Sequence, residues 1–125
     1  MEKRRGFGKH LIIDGYECNP EKLSDINHIY NFLEGITDEI EMTKLMPPYV
    51  QEISKNPKAY QGFIIIAESH VNIITCPKDR TVIVDVFSCK DFDDEKAINY
   101  TKDCFEIRRM EYKSFYRGVD FPKQP

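Results

Sequence analysis

Three short apolar runs dominate the middle of the chain and constrain its fold more than any other feature. They occupy residues 63–67, 71–75 and 82–87, and each is rich in Val and Ile. A polar turn at residues 77–80 separates the last two runs. Runs of this composition, bounded by turn residues, are typical of buried or half-buried β-strands. The sequence therefore predicts a central sheet that contains three consecutive strands.

A polar tripeptide, Glu68-Ser69-His70, lies between the first two of these runs. Its three side chains form hydrogen bonds, and leaving one such group unpaired in a protein interior costs about 1–3 kcal/mol. Packing alone does not require polar residues between two buried strands. The tripeptide is therefore the first candidate for a chemical role, and Ser69 is its strongest member. The alternative is an ordinary turn serine between the two strands of a hairpin.

Two amphipathic helices are predicted outside the central runs. The first begins at Asn19, a favourable N-cap that is followed by Pro20, and its apolar residues recur at three- and four-residue spacing as far as residue 36. Gly35 is predicted to mark its end. The second is predicted over residues 94–105, with Asp91 or Asp93 as its cap. Each helix has one apolar face, so each is expected to pack against the sheet.

The remaining segments predict further strands and one long loop. Strands are expected at 10–15, at 40–46 and at 107–115, the last at a sheet edge because it is rich in Arg and Lys. Residues 49–60 show little regular pattern and are predicted to be the longest loop, and residues 1–7 a charged, frayed tail. This order predicts an α/β protein of the α+β type: a two-layer sandwich, with a mostly antiparallel sheet and two helices on one face.

Length and charge limit the classes of function. A chain of 125 residues is most simply one domain, residues 1–125. A net charge of −3 argues against nucleic acid, which requires a basic face. No apolar stretch is long enough to span a membrane and the start lacks a signal-type apolar segment, so the sequence predicts a cytoplasmic protein. Because the central runs are apolar on both sides, a dimer is expected to cover the second face of the sheet.

The four cysteines do not form a metal-binding pattern. They lie at positions 18, 76, 89 and 104, too widely spaced for a zinc ribbon, and no metal site is predicted. Without an export signal, reduced thiols are expected rather than disulfides. For Cys18, Cys76 and Cys104 the expected role is packing, since a reduced cysteine behaves as a small hydrophobe.

The central stretch resembles the prokaryotic S-adenosylmethionine decarboxylases, small enzymes that use a covalent pyruvoyl group. The core of the resemblance is the Glu-Ser-His tripeptide together with a Cys twenty residues after the Ser, and weaker similarity continues through residues 94–97, so that most of the chain is covered. The matching residues are Gly8, Lys9, His10, Leu11, Gly62, Ala67, Glu68, Ser69, His70, Thr75, Pro77, Asp85, Val86, Phe87 and Cys89.

The resemblance implies self-cleavage between Glu68 and Ser69. The Ser69 hydroxyl would attack the carbonyl of Glu68 and convert the amide to an ester, and elimination followed by hydrolysis would turn residue 69 into a pyruvoyl group. That group would form a Schiff base with a substrate amine and accept electrons when carbon dioxide leaves, as pyridoxal phosphate does elsewhere. Cys89 matches the family's proton donor to the substrate carbon.

Three positions depart from the family pattern. The family has a His five residues after the Ser, which is assigned to processing, and this chain has Ile74. The family usually has a Ser eight residues before the pyruvoyl precursor, where this chain has Gln61. The family's Thr-Trp-Pro-Glu has Cys76 and Lys78 at its second and fourth positions, which in the family lie near the adenosine part of the substrate. A Cys cannot stack on a purine, and a Lys cannot accept hydrogen bonds from ribose hydroxyls.

These departures leave several residue roles as hypotheses. In an extended segment His70 shares a face with position 74, and its usual pKa suits proton transfer, so it could replace the family's processing His. A structural His is the alternative. The candidate substrate-binding residues are Asp14, Gln61, Gly62, Cys76 and Lys78; Asp14 would pair with a substrate cation, and a solvated strand end is its alternative role.

Two functions follow. The first is a pyruvoyl-dependent decarboxylase that feeds polyamine synthesis, specifically that of spermidine. Its default substrate is S-adenosylmethionine, and arginine or ornithine is the alternative because of the changes at positions 76 and 78. The second is an uncleaved, non-catalytic paralogue that pairs with an active subunit. A homodimer is expected in the first case and a heterodimer in the second.

Overall fold

The computed structural model describes residues 7–121, and the predicted frayed tail at 1–7 lies almost wholly outside them. The described chain forms one antiparallel sheet of six strands in the order β2-β3-β4-β5-β1-β6. The strands are β1 (Gly8–Tyr16), β2 (Tyr49–Lys55), β3 (Lys58–Ile66), β4 (Ser69–Cys76), β5 (Thr81–Ser88) and β6 (Arg109–Arg117). The three central runs are therefore consecutive strands, and the basic final strand lies at an edge, as predicted.

Three helices accompany the sheet: α1 (Pro20–Leu23), α2 (Ile26–Glu39) and α3 (Asp94–Phe105). Strand side chains alternate between two faces, and one face is buried throughout β1, β3, β4 and β5 because α2 and α3 cover it. Phe32 of α2 and Phe105 of α3 lie at the centre of this layer, with ring centroids 5.1 Å apart. The prediction of a two-layer α+β sandwich is confirmed.

The opposite face of the sheet carries no helix and is called the open face below. It mixes apolar and polar side chains, which are partly buried or exposed. Ile65 and Ile83 each keep 46% of their surface exposed there, and Phe115 keeps 38%. The expectation that apolar residues lie on both sides of the central strands is therefore met, although the open face is less apolar than the core.

The first predicted helix is two helices, because the chain breaks it at Ser24-Asp25. The Ser24 hydroxyl donates to the Pro20 carbonyl, and the Asp25 carboxylate accepts from two amides of the next turn and begins α2. Gly35 does not end α2. It lies inside the helix, where a Cβ would collide with the ring of Tyr100 on α3. The glycine therefore permits close contact between the two helices.

The secondary structure predicted for two segments is wrong. Residues 40–46 are turns with one isolated bridge, Lys44 to Ile66, because Ile40 caps α2 and Glu41 has a left-handed φ of 58°. Residues 49–60 are not a loop: they form the β2–β3 hairpin, with Pro57 in its turn. The strand pattern was weak because β2 is an edge strand with few apolar residues. The prediction of a second long helix is confirmed, and Asp93 is its N-cap.

Candidate active site

The candidate site begins at the tight turn between β3 and β4. Ile66 pairs with Ser69, so only Ala67 and Glu68 form the connection. Glu68 has a φ of 56°, a left-handed conformation that favours Gly or Asn at the second position of such a turn. For another residue it costs about 1–2 kcal/mol. The peptide bond predicted to break therefore follows a strained residue.

The carbonyl of Glu68 is held by the neighbouring strand. Its oxygen accepts a hydrogen bond from the backbone N–H of Cys89, with an N–O distance of 3.1 Å. A backbone donor fixed on a carbonyl oxygen stabilises the negative charge that forms there when a nucleophile attacks the carbon. This contact exists because β4 and β5 pair with Ser69 opposite Ser88, which leaves Cys89 beside the turn.

Ser69 is buried, with 7% of its surface exposed, and its hydroxyl lies among oxygen atoms. Its Oγ is 2.6 Å from the Oγ of Ser88 and 3.1 Å from the carbonyl oxygen of Ala67. Ser88 did not emerge from the sequence as a site residue. It could have been found from the sequence. If the two strands that flank the predicted turn at 77–80 are paired residue by residue away from that turn, position 69 lies opposite position 88.

An open cleft of about 820 Å³ lies beside the turn. Glu68, Ser69, His70 and Cys89 all line it, so the structure brings together the four residues predicted for cleavage and catalysis. The rest of the lining was not predicted from the sequence, because it comes from the two ends of the described chain and from β5. Those residues are Phe7, Phe87, Arg117, Gly118 and Phe121.

The cleft walls are aromatic, with one guanidinium. The rings of Phe7 and Phe121 pack edge to face at 5.4 Å, and the guanidinium carbon of Arg117 lies 5.2 Å from the ring centroid of Phe87. Aromatic faces attract cations. This surface suits a substrate that carries a cationic group together with a carboxylate.

His70 points to the other face of the sheet from Ser69, as strand alternation predicted. It is exposed, and its ring lies 5.7 Å from that of Phe87. His10 lies on the far side of the same phenylalanine, with its ring centroid 6.0 Å away. Burial lowers the pKa of His10, Asp85 at 3.9 Å opposes that effect, and Arg117 and His70 reinforce it. The lowered pKa favours the neutral form of His10.

The other departures from the family pattern lie on the open face. Ile74 stands between Gln61 of β3 and Ile83 of β5, and the Gln61 amide donates to Asn72 at 3.0 Å. None of these four side chains lines the cleft. The predicted sharing of one face by His70 and position 74 is correct, but an isoleucine side chain cannot transfer protons.

Four further candidate substrate-binding residues also lie outside the cleft. Asp14 is exposed on the open face of β1, and Gly62 packs under Leu33, where a Cβ would lie 2.9 Å from the leucine Cδ1. Cys76 ends β4 and Lys78 is exposed in the following turn, at the opposite end of the strand from Ser69. Their roles remain predictions.

Cys18 and Cys104 have the packing positions expected of them. Cys18 is 1% exposed, and burial raises its pKa to about 11. Burial also raises the pKa of the Cys104 thiol on α3. No disulfide joins the four cysteines, and within residues 7–121 no group of His, Cys, Asp and Glu side chains could hold a metal ion. The partly buried Cys89 is the cysteine that faces the cleft.

Comparison with known proteins agrees with this geometry. The family described as S-adenosylmethionine decarboxylase matches residues 9–118. The chain belongs to this family. A protein of Clostridium botulinum strain Langeland named S-adenosylmethionine decarboxylase proenzyme is 32% identical over 112 residues, 89% of this chain and 94% of that protein. A Hydrogenobaculum protein of the same name is 34% identical over 90% of this chain and 83% of its own length.

A solved structure shares the fold. The crystal structure of the adenosylmethionine decarboxylase from Aquifex aeolicus superposes with a TM-score of 0.81 at 22% identity, covering 98% of this chain and 99% of that one. The predicted family, its carboxy-lyase class and its formation from a proenzyme are confirmed at the level of the family. Among residues 7–121, no helix is long and apolar enough to cross a membrane.

Proposed function

We propose that this chain is an S-adenosylmethionine decarboxylase proenzyme that cuts itself between Glu68 and Ser69. One observation supports this most: the Glu68 carbonyl oxygen accepts a hydrogen bond from the Cys89 amide, directly beside the buried hydroxyl of Ser69. A nucleophile, a polarised carbonyl and a left-handed residue meet at one peptide bond. A left-handed residue also occurs in ordinary two-residue turns, so the hydrogen-bonded carbonyl and the buried hydroxyl are the features that a turn serine does not need.

The proposed cleavage requires only atoms of the chain and one water molecule. The Ser69 Oγ bonds to the Glu68 carbonyl carbon, the peptide C–N bond breaks, and the hydroxyl proton moves to the freed nitrogen. The resulting ester loses the Cα proton of residue 69, and Oγ leaves with the Glu68 carboxylate. Water then replaces the nitrogen, which leaves as ammonia. The products are residues 1–68 and a chain from 69 with a pyruvoyl cap.

The residues around Ser69 fit this group. The pyruvoyl cap supplies a carbonyl that binds a substrate amine and accepts electrons as carbon dioxide leaves. Cys89 lines the same cleft and is partly buried, which supports its role as the proton donor to the substrate carbon. Arg117 pairs with the substrate carboxylate, and the aromatic walls contact its cationic part.

S-adenosylmethionine is the proposed substrate, and the decarboxylated product feeds spermidine synthesis. We place the enzyme in the cytoplasm, where a biosynthetic decarboxylase meets its substrate. Arginine and ornithine are the alternatives, because Cys76 and Lys78 differ from the family pattern. All three substrates carry a carboxylate, an α-amine and a cation, which suits the cleft. Carbon dioxide release from each in a parallel assay distinguishes them.

Intact mass tests the cleavage. The purified chain is expected as two fragments that end at Glu68 and begin at residue 69, and the second should be blocked to Edman sequencing. Borohydride in the presence of substrate should fix the amine to the second fragment. The matched control is Ser69→Ala, which should remain one chain of 14.7 kDa.

An uncleaved paralogue is the second candidate function. Ile74 favours it, because a side chain that cannot transfer protons stands where the family has its processing His. In that case the wild-type chain stays whole under all conditions and co-purifies with a cleaved partner. That result would exclude self-cleavage by this chain.

We also propose that the open face pairs with a second copy of the chain, or with a paralogue. Ile65 and Ile83 lie on it with 46% of their surface exposed, a poor arrangement for a monomer in water. Ile83→Asp should give a monomer by sedimentation velocity. Ile26→Asp changes a residue of similar exposure, 45%, in the helical layer and should leave the assembly unchanged.

A further inference from the structure

Ser88 and Cys89 are consecutive residues at the end of β5, and they hold the two reacting groups of the proposed cleavage. The Cys89 amide contacts the carbonyl oxygen of Glu68, and the Ser88 hydroxyl contacts the hydroxyl of Ser69 at 2.6 Å. Ser88 is directly opposite Ser69 in the strand register and is 1% exposed. The nucleophile and its target are thus both attached to one short, well-paired piece of strand.

Three hydrogen bonds hold the Ser88 hydroxyl in place. The Ser88 Oγ accepts from the backbone N–H of Lys90 at 2.9 Å. Its own proton can reach the Sδ of Met42 at 3.8 Å or the Oγ of Ser69 at 2.6 Å. In the structure the Ser69 hydroxyl donates to the Ser88 Oγ, and the Ser88 hydroxyl donates to the Met42 thioether. The Ala67 carbonyl oxygen, 3.1 Å from the Ser69 Oγ, is a second acceptor for the Ser69 proton.

A hydroxyl at this position favours attack in two ways. It holds the Ser69 side chain in one rotamer, so that the hydroxyl does not turn toward solvent in the cleft. A thioether is a weak acceptor, so the Ser88 proton can turn to the Ser69 Oγ as the Ser69 proton leaves, and a hydrogen bond to the charged form favours that form. Burial makes this contribution larger than it would be in water.

We propose that Ser88 is the positioning residue for the first step of self-cleavage, in which the Ser69 Oγ attacks the Glu68 carbonyl. This inference rests on the proposed self-cleavage and adds a residue to it. Ser88 does not touch the substrate cleft, since it is absent from the lining. Its effect is therefore on maturation rather than on substrate binding.

The test measures the rate of chain cleavage after synthesis in a cell-free system. Ser88→Ala should slow cleavage about 10- to 100-fold, the range expected when a hydrogen bond to a developing charge is lost. Ser88→Thr keeps the hydroxyl on a residue that suits a strand, and it should restore most of the rate. Ser88→Cys supplies a weaker donor and should give an intermediate rate, which remains measurable if the alanine variant does not fold.

Hydroxylamine identifies the step. It cleaves an ester but not an amide, so uncut Ser88→Ala chain treated with it after denaturation should stay whole. Release of a 1–68 fragment would mean that ester accumulates, and the assignment of Ser88 to the first step would be wrong. Thr101→Ala removes another fully buried hydroxyl, which donates to Ala97 at 2.8 Å, and should leave cleavage unchanged.

The remaining outcomes separate this inference from the proposed function. If the wild-type chain and Ser88→Ala are cut at the same rate, the role of Ser88 is refuted while self-cleavage stands. If Thr101→Ala slows cleavage as much as Ser88→Ala, the effect is general destabilisation and the inference also fails. If the wild-type chain is never cut, both the proposed function and the role of Ser88 are wrong.

Discussion

The backbone N–H of Cys89 lies 3.1 Å from the carbonyl oxygen of Glu68, although the two residues are separated by the whole of β4 and β5. Pairing of these strands brings them together and fixes the contact without any side chain. The carbonyl predicted to be attacked is therefore polarised by the fold itself. Substitution of the Cys89 side chain leaves that backbone donor in place. The role of the amide in cleavage can therefore be tested separately from the role of the thiol as proton donor to the substrate.

Cys89→Ala should uncouple maturation from turnover. Cleavage is expected at close to the wild-type rate, because the amide donor remains. Decarboxylation should fall by about 10²- to 10⁴-fold, the usual loss when a general acid is removed. Mass spectrometry of the chain and carbon dioxide release measure the two separately. Equal and severe loss of both would contradict the assignment of Cys89 as the proton donor.

Glu68 offers a test of backbone strain. Gly adopts a φ of 56° freely, so Glu68→Gly removes a cost of about 1 kcal/mol that the attack would relieve. We expect the Glu68→Gly chain to be cleaved about fivefold more slowly, because about 1 kcal/mol added to the activation free energy lowers a rate by about that factor. Glu68→Gln keeps the strain and removes only the charge, and it should be cut like the wild type. A slow Glu68→Gln variant would instead implicate the carboxylate.

His70 is the remaining candidate for proton transfer in processing. Although its side chain leaves the opposite face of β4, His70 lines the same cleft as Ser69. Because Ile74 cannot act as a base, His70→Ala is expected to remain an uncut chain. Normal cleavage in this variant would rule out the role. His28→Ala is a control: its Nε2 contacts the Cys104 carbonyl at 2.6 Å between α2 and α3, away from the cleft. That change should lower stability without affecting cleavage.

His10 should make the uncut chain sensitive to mild acid. Its folded pKa is lowered, chiefly by burial, whereas the unfolded value is about 6.5. The unfolded state therefore binds the proton more tightly, and stability is lost as the pH falls through 6.5 toward the folded pKa. Urea denaturation of Ser69→Ala at pH 7.5 and 5.0 should show a larger loss than Ser69→Ala combined with His10→Gln. Equal losses would exclude this contribution.

Lys9 anchors the segment that follows Cys89. Its ammonium contacts the Phe92 carbonyl, Asp91 at 3.1 Å and Asp94 at 2.8 Å, and Lys9 is 9% exposed. Lys9→Met should lower the free energy of unfolding by about 2 kcal/mol, less than for a fully buried pair because both carboxylates reach solvent. Lys22→Met breaks only the exposed pair with Glu106 and should cost less than about 1 kcal/mol. Urea titration measures both.

Much of the fold was predictable because local patterns and tertiary packing agree. The Val- and Ile-rich runs became β3, β4 and β5, and the apolar stripe of α3 faces the sheet with Asp93 as its cap. The errors came where packing overrides local pattern. The β2 strand is held at an edge by pairing with β3, and residues 40–46 alternate like a strand although Ile40 ends a helix.

By itself, the sequence determined the family and pointed to the proposed nucleophile and the proposed cleavage bond, because Glu68-Ser69-His70 and Cys89 stand at fixed chain positions. Only the tertiary structure decided what surrounds them. The strand register placed Ser88 against Ser69 and the Cys89 amide on the attacked carbonyl, and it left Ile74 outside the cleft. Arg117 and the aromatic walls joined the site from distant parts of the chain. The physical reason is that hydrogen-bond partners across a sheet depend on pairing between strands, which residue identity alone does not specify.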